Sequence, residues 1–167
     1  QVTPDFTARL SSYTAFRVPT INELYRPFRV RNDITEANPD LKNESLKGIE
    51  AGLSWQGPEQ TKLDLSLFYN RLEDAISNVT LTTDAGFYAP LGVFVPSGGS
   101  LSQRQNIDVV NIYGIEIAAN ARISPELVFD IGYLYTHSRI GSGVSQTLLA
   151  GNQLAQVPVH EVSAGLV

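Results

Sequence analysis

The chain has no cysteine and no methionine. Without cysteine it can hold neither a disulfide framework nor a thiolate metal centre, and its redox compartment stays open. No stretch approaches the run of about 18 apolar residues that marks a transmembrane helix. Positive charge is not in excess: 12 basic and 17 acidic residues leave a net charge of −5. A nucleic-acid binder shows a basic stripe instead, so no nucleic-acid partner is expected. No basic segment followed by an apolar one starts at Gln1, so any targeting signal is expected to be missing or removed. Catalytic patterns are lacking too. His137 and His160 are too far apart for a local zinc motif and are read as structural. Glu50 and Glu116 match an acid–base pair only in residue type. The plainer reading bonds each to a neighbouring arginine, tyrosine or backbone group, with Arg17 and Arg122 as partners. Asp33, Glu36, Asn38 and Asp40 carry oxygens that calcium takes, but not in the order of a calcium loop. Gly98-Gly99 and Gly141-Ser142-Gly143 are too short for a phosphate cradle, and no Lys-Ser/Thr follows. No enzyme, cofactor or metal site is expected.

What the chain does have is alternation. In 61–69 the odd positions Leu63, Leu65, Leu67 and Tyr69 oppose Lys62, Asp64 and Ser66, with Phe68 breaking the pattern. In 47–55, Ile49, Ala51, Leu53 and Trp55 oppose Gly48, Glu50, Gly52 and Ser54. In 113–123, Tyr113, Ile115, Ile117, Ala119, Ala121 and Ile123 oppose Gly114, Glu116, Ala118, Asn120 and Arg122. In 127–135, Leu127, Phe129, Ile131, Tyr133 and Tyr135 oppose Val128, Asp130, Gly132 and Leu134. Val162, Ala164 and Leu166 repeat this near the end, and Phe6, Ala8, Leu10 and Phe16 more weakly near the start. Period two means strands, not helices. Only Asn22–Tyr25 suits a helical turn. Connections alternate in length. Breaks at 56–60 and at Ser124-Pro125 are tight. Those from Arg17 to Asn43, from Ser77 to Gln103 and from Ile140 to Gln156 are long.

A soluble sandwich and a membrane barrel share this periodicity, one with the apolar face inward and one with it outward. A soluble β-sandwich, as an adhesion or carbohydrate-binding module, is the alternative. Aromatics near strand ends (Trp55, Phe68, Tyr69, Tyr113, Tyr133, Tyr135) and tight turns opposite long loops favour the barrel. In that reading Leu63, Leu65, Ile115, Ile117, Phe129 and Ile131 face lipid. Glu50, Asp64, Glu116 and Asp130 face the lumen.

Particular strings then add information. Phe16-Arg17-Val18-Pro19 leads to Glu23-Leu24, and Asn38-Pro39-Asp40-Leu41 leads to Glu44-Ser45 and Glu50-Ala51-Gly52. Phe68-Tyr69-Asn70 is followed by Asp74-Ala75-Ile76. Asn106, Gly114 and Glu116, then Ser124, Leu127 and Gly132-Tyr133, then Pro158 and His160, complete the order. Together these strings resemble the TonB-dependent outer-membrane receptors. The resemblance implies an all-β, antiparallel up-and-down transmembrane barrel of about 22 strands with a plugged lumen. This chain would supply about six strands. Residues 1–167 are then expected to form a partial barrel domain, with the plug and the last strands absent. The family likeness also implies capture of a scarce nutrient, most commonly a ferric siderophore. Uptake would be energised by the TonB complex acting on the plug, outside this chain. Outer-membrane lipid and the iron-siderophore ligand are the remaining expected partners. As a fragment the chain should not transport alone, and its two strand edges would need partners.

Loops held by a rigid wall are where binding residues gather. Tyr25, Arg26, Phe28, Arg29 and Arg31 form a basic-aromatic stretch suited to an anionic ligand. Phe87, Tyr88, Phe94 and Arg104 belong to the next long loop. Packing within the loops, or pairing with Asp33 and Glu36, is the competing role for both groups.

Overall fold

The computed structural model describes residues 4–141, 151–154 and 157–166. Its strands are β1 (Phe6–Arg17), β2 (Phe28–Val30), β3 (Asp33–Glu36), β4 (Glu44–Gln56), β5 (Lys62–Thr82), β6 (Gly86–Tyr88), β7 (Val93–Val95), β8 (Leu101–Ser124), β9 (Leu127–Ile140) and β10 (His160–Leu166). One short helix, α1 (Ile21–Tyr25), follows β1. The long strands β1, β4, β5, β8, β9 and β10 are neighbours in chain order within one sheet. This up-and-down order matches the strands expected from the alternation. The chain divides into two compact units. One comprises Gln1–Ala15, Leu46–Leu72 and Val109–Val167, the other Phe16–Ser45 and Glu73–Asp108.

The first unit is a wall. β8 and β9 pair antiparallel, with Ile115 opposite Tyr135, Ile117 opposite Tyr133, Ala119 opposite Ile131 and Ala121 opposite Phe129. β9 and β10 continue the rows, with Tyr133 opposite Val162, Ile131 opposite Ala164 and Phe129 opposite Leu166. Side chains directly opposite each other share a face. Three strands therefore present one apolar face. The other face carries the rows Glu116–Leu134–Glu161, Ala118–Gly132–Ser163 and Asn120–Asp130–Gly165. A slip of one residue would exchange the faces, so the pattern fixes the register. Among the described residues the apolar face stays exposed: Ile117 is 37% exposed, Ile131 41% and Leu67 47%. A soluble sandwich buries such a face against a second sheet.

On the polar face, glycines make room for large neighbours. The Ser54 hydroxyl donates to Asp64 Oδ1 (2.5 Å) across β4 and β5. A side chain at Gly48 would run into Tyr13 and Asn70, and one at Gly52 into Arg9. Phe68, the residue that breaks the β5 alternation, lies over Gly114, where an added Cβ would meet its ring at 2.5 Å. The exception to the pattern is thus an aromatic covering a glycine. A shallow groove of about 610 Å³ crosses this face between Lys62, Asp64, Glu116, Asn120, Asp130 and Ser163.

The tight turns are as expected. Gly57 N–H donates to the Thr61 carbonyl (2.8 Å), with Glu59 and Gln60 at φ 54° and 63°. Ser124 pairs with Leu127 across a two-residue turn. The long connections are not structureless. The one expected over 77–103 shrinks to 83–100, because β5 runs on to Thr82 and β8 starts at Leu101, and it contains the β6–β7 hairpin. The one expected over 17–43 holds α1, β2 and β3. Local hydrophobic pattern misses these strands because three or four residues are too few to show a period, and β3 in addition owes its place to a long-range partner. β3 runs parallel to the start of β8, with Ile34 opposite Leu101. Ser142 and Gly143, and most of the connection after Ile140, lie outside the described residues.

The second unit has its own core. Ile34, Val95 and Leu101 are buried together, with Leu81, Tyr88 and Val93 packed on them.

Candidate functional site

The connection after β1 is built around an ionic clasp. Thr20 caps α1, accepting from Glu23 N–H (3.3 Å) while its own N–H donates to the Glu23 carboxylate (2.7 Å), a reciprocal capping box. Arg17 donates to the same carboxylate (2.9 Å) and also to Glu44. Glu44 in turn accepts from Ile76 N–H (2.7 Å). Burial by itself would raise the Glu23 carboxyl, but the bonds from Arg17 and Thr20 outweigh it and hold its pKa at about 2. Arg17 therefore pairs with Glu23 and Glu44, not with Glu50 or Glu116 as expected from sequence. Arg122 cannot serve Glu116 either. Six residues along one extended strand separate them by about 20 Å.

Asn106 ties three segments together. Its carbonyl oxygen accepts from Lys42 N–H (2.8 Å), and its amide donates to the carbonyls of Lys42 (3.1 Å) and Asp74 (2.6 Å). Asp74 sits at φ 54°. Asn38 donates to the Arg104 carbonyl (2.9 Å), and its own N–H reaches the Glu23 carbonyl (3.0 Å). The Asp33 carboxylate is taken by Ser100 N–H (3.0 Å) and its hydroxyl (2.7 Å). Among the described residues no three His, Cys, Asp or Glu side chains gather as metal ligands.

Arg104 closes the end of α1. Its guanidinium donates to the carbonyls of Asn22 (2.8 Å) and Arg26 (3.2 Å) and lies 5.1 Å from the centre of the Phe28 ring. The Asn22 carbonyl also accepts from Arg26 N–H (3.2 Å), so Arg104 adds a second donor at a helix end that favours a cation, and the ring adds a cation–π contact. Arg26, Pro27, Phe28, Asn22 and Arg104 line a pocket of about 390 Å³. Of the candidate loop residues, Arg26 and Arg104 thus come together. Tyr25 is exposed beside them at the helix end. Arg29 is turned to the Arg31 carbonyl (2.6 Å), and Arg31 stands at φ 55° in the β2–β3 turn. In the β6–β7 hairpin, Phe87 pairs directly with Phe94 and both are exposed, whereas Tyr88 packs on the core.

In the wall unit, Asp64, Glu116 and Asp130 line the groove of the polar face. Glu50 shares their face by strand parity, two residues from Gly48 and Gly52. Leu63, Leu65, Ile115, Ile117, Phe129 and Ile131 lie on the apolar face. Arg9 and Tyr13, which pattern reading passed over, join the polar face. Tyr13 donates to Asn70 (2.8 Å). Their signal was the glycines at 48 and 52, legible only once β1 is known to lie beside β4.

A meander of long antiparallel strands, apolar on one face and polar on the other, joined by tight turns alternating with structured loops, is the wall of an outer-membrane β-barrel. The family model "TonB dependent receptor-like, beta-barrel" matches residues 1–167. The chain belongs to that family of bacterial outer-membrane proteins. It is 28% identical over 165 residues to the iron-regulated outer membrane virulence protein of Vibrio cholerae, covering 98% of this chain and 24% of that one. It is 35% identical over 109 residues to the vitamin B12 transporter BtuB of Vibrio vulnificus, covering 65% of this chain and 14% of that one. The siderophore receptor PirA from Acinetobacter baumannii has a similar structure, with TM-score 0.65, 19% identity, and 98% of this chain and 24% of that chain covered. The chain spans about a quarter of the length of the curated relative from Vibrio cholerae.

Proposed function

We propose that the chain is a wall-and-loop segment of a receptor that captures an anionic ferric chelate of the siderophore type and imports it. Energy would come from the TonB complex acting through a plug supplied elsewhere in the receptor. The observation that supports the ligand class is the pocket at the end of α1. There Arg26 lines the same pocket as the Phe28 ring and the Arg104 guanidinium that lies over it. Planar cations bind carboxylate, catecholate or hydroxamate oxygens, and the ring covers the apolar part of a chelate. The iron-regulated relative points the same way. In this reading Tyr25, Arg26 and Phe87 contact ligand, with Arg29 and Arg31 supplying charge nearby. Arg104 acts by holding the pocket's shape. Leu63, Leu65, Ile115, Ile117, Phe129 and Ile131 face lipid, and Glu50, Asp64, Glu116 and Asp130 face the lumen.

Two measurements on the complete receptor test it. The chain's lack of cysteine allows single-cysteine labelling once any others in the receptor are removed. Glu116→Cys should react with a water-soluble maleimide and Ile117→Cys should not, and the reverse pattern sinks the lipid-facing assignment. Binding should then be measured against a panel of ferric siderophores and cobalamin. Arg26→Ala should weaken the preferred anionic chelate by roughly tenfold, the value of one charge-assisted hydrogen bond. Binding of cobalamin and of no ferric chelate would refute the cargo.

A further inference from the structure

The apolar face of the wall ends differently at its two ends. At one end stand Phe6 and Trp55, whose rings stack 6.4 Å apart, with Ile123, Leu127 and Leu166. Among the described residues, the outermost apolar-face positions at this end carry no lysine or arginine. At the other end the aliphatic rows give way to tyrosine and histidine. Tyr113 packs on its cross-strand partner His137, with ring centres 4.8 Å apart, and Tyr135 on His160 at 5.3 Å. Tyr69 donates to Asn111 (2.8 Å) on the same face.

One step beyond these rings comes a row of cations. Asn111 lies directly opposite Arg139. Arg139 Nε donates to His137 Nε2 (3.1 Å), which holds the guanidinium against the Tyr113–His137 pair. Arg71 follows Tyr69 at the next position on that face of β5. The Ser54–Asp64 bond and the Gly48–Asn70 contact set the β4–β5 register, and that register puts Lys47 opposite Arg71. Neighbouring strands are about 4.8 Å apart, so Arg139, two strands over from Arg71, is about 10 Å away. Like charges directly opposite across a sheet disfavour each other. Both Lys47 and Arg71 also have partners within the protein, and Glu73 stands two residues beyond Arg71 on β5. Lys47, Arg71 and Arg139 are all exposed.

We propose that Lys47, Arg71 and Arg139, with Asn111 as a hydrogen-bonding spacer and His137 as the support for Arg139, form a docking row for the phosphates of anionic lipid headgroups. The inference rests on the lipid-facing assignment above. The occupant follows from three features of the row. It is cationic, it continues an apolar face, and it is separated from that face by the tyrosines that suit a membrane–water interface. A soluble anion has no reason to prefer cations in line with an acyl-chain surface. A lipid puts its chains on Ile115 and Ile117 and its phosphate on the cations above. Basic residues near a membrane surface attract anionic headgroups additively, and salt screens the attraction.

The test uses the complete receptor in nanodiscs of phosphatidylcholine, alone or mixed with phosphatidylglycerol. Native mass spectrometry counts the anionic lipid that stays bound on release. The triple variant Lys47→Gln, Arg71→Gln, Arg139→Gln should lose affinity about a hundredfold, or about fivefold for each charge removed. Arg71→Lys with Arg139→Lys should keep most of it. Heat-modifiable migration on gels checks that each variant is folded. Equal retention by wild type and triple variant overturns the docking row, as does displacement of the lipid by inorganic phosphate at equal concentration. Ile117→Cys labelling separates the two ideas: if that cysteine is shielded from water while the triple variant still retains lipid, only the docking row fails.

Discussion

The proposed lipid-facing assignment predicts a definite profile for an arginine placed at successive depths of the apolar face. A strand advances about 3.3 Å per residue, and a barrel tilt of about 40° turns this into about 2.5 Å of membrane depth. From Tyr113 to Ile123 the apolar face of β8 therefore covers about 25 Å, the height of a barrel's apolar band. Ile117 falls near its middle and Tyr113 at its edge. Ile117→Arg should cost about 3 kcal/mol and Tyr113→Arg about 0.5 kcal/mol, with Ile115→Arg between them. On the opposite face, Ala118→Arg points into the groove with Glu116 and Asp130 and should change stability by less than about 0.5 kcal/mol. The assay is denaturant unfolding of the complete receptor in lipid vesicles, read by tryptophan fluorescence and gel mobility. A flat profile along Tyr113, Ile115 and Ile117 refutes the depth argument. A cost at Ala118 equal to that at Ile117 refutes the assignment of faces.

Two predictions concern the loop unit. Asn106→Leu removes hydrogen bonds to Lys42 N–H and to the carbonyls of Lys42 and Asp74. It should cost about 2 kcal/mol and speed amide exchange over 38–44 and 73–76, leaving exchange over 113–123 unchanged. Glu23 is held at a pKa of about 2 against an ordinary 4.5. A lowered carboxyl stabilises fully above the unfolded value and loses its effect as pH falls through the folded one, so protection of 20–25 should decline between about pH 4.5 and 2. Solvent around the half-exposed Arg17 limits the effect to about 1 kcal/mol, and Glu23→Gln should abolish this pH dependence.

How much of this was legible in the sequence follows the physics of each part. The wall was readable because one rule, alternation, sets both strand identity and face. Ile115, Ile117 and Ile131 declare their face without knowledge of their partners. Phe68 breaks the alternation, and the reason, that it covers Gly114, is not legible in the pattern because the contact spans 46 residues of sequence and belongs to pairing. The short strands β2, β3, β6 and β7 carry too few residues for any period to show. Arg104 was picked out as a binding candidate by residue type. Residue type could not reveal that its guanidinium is committed to the carbonyls of Asn22 and Arg26. Tyr88 was chosen beside Phe87 for the same reason. In a strand adjacent residues face opposite ways, so one of the two has to point inward, and packing on the Ile34–Val95–Leu101 core decides that it is Tyr88.

The two units are held by different forces, and this bears on where function can vary. Among the described residues the apolar face of the wall stays exposed, and under the lipid-facing assignment proposed above its hydrophobic stabilisation comes from lipid. A substitution on that face is judged by the membrane. The loop unit buries Ile34, Val95 and Leu101 completely or nearly so and adds the Arg17–Glu23–Glu44 clasp and the Asn106 tie. Its pocket geometry is set by the protein itself. Arg26, Tyr25 and Phe87 stand at its surface, where a change of side chain leaves core and clasp in place. Substitutions at those positions should therefore cost little in folding, and under the proposed function they are where ligand preference would shift, while Arg17, Glu44, Asn106 and Arg104 are constrained by the structure they hold.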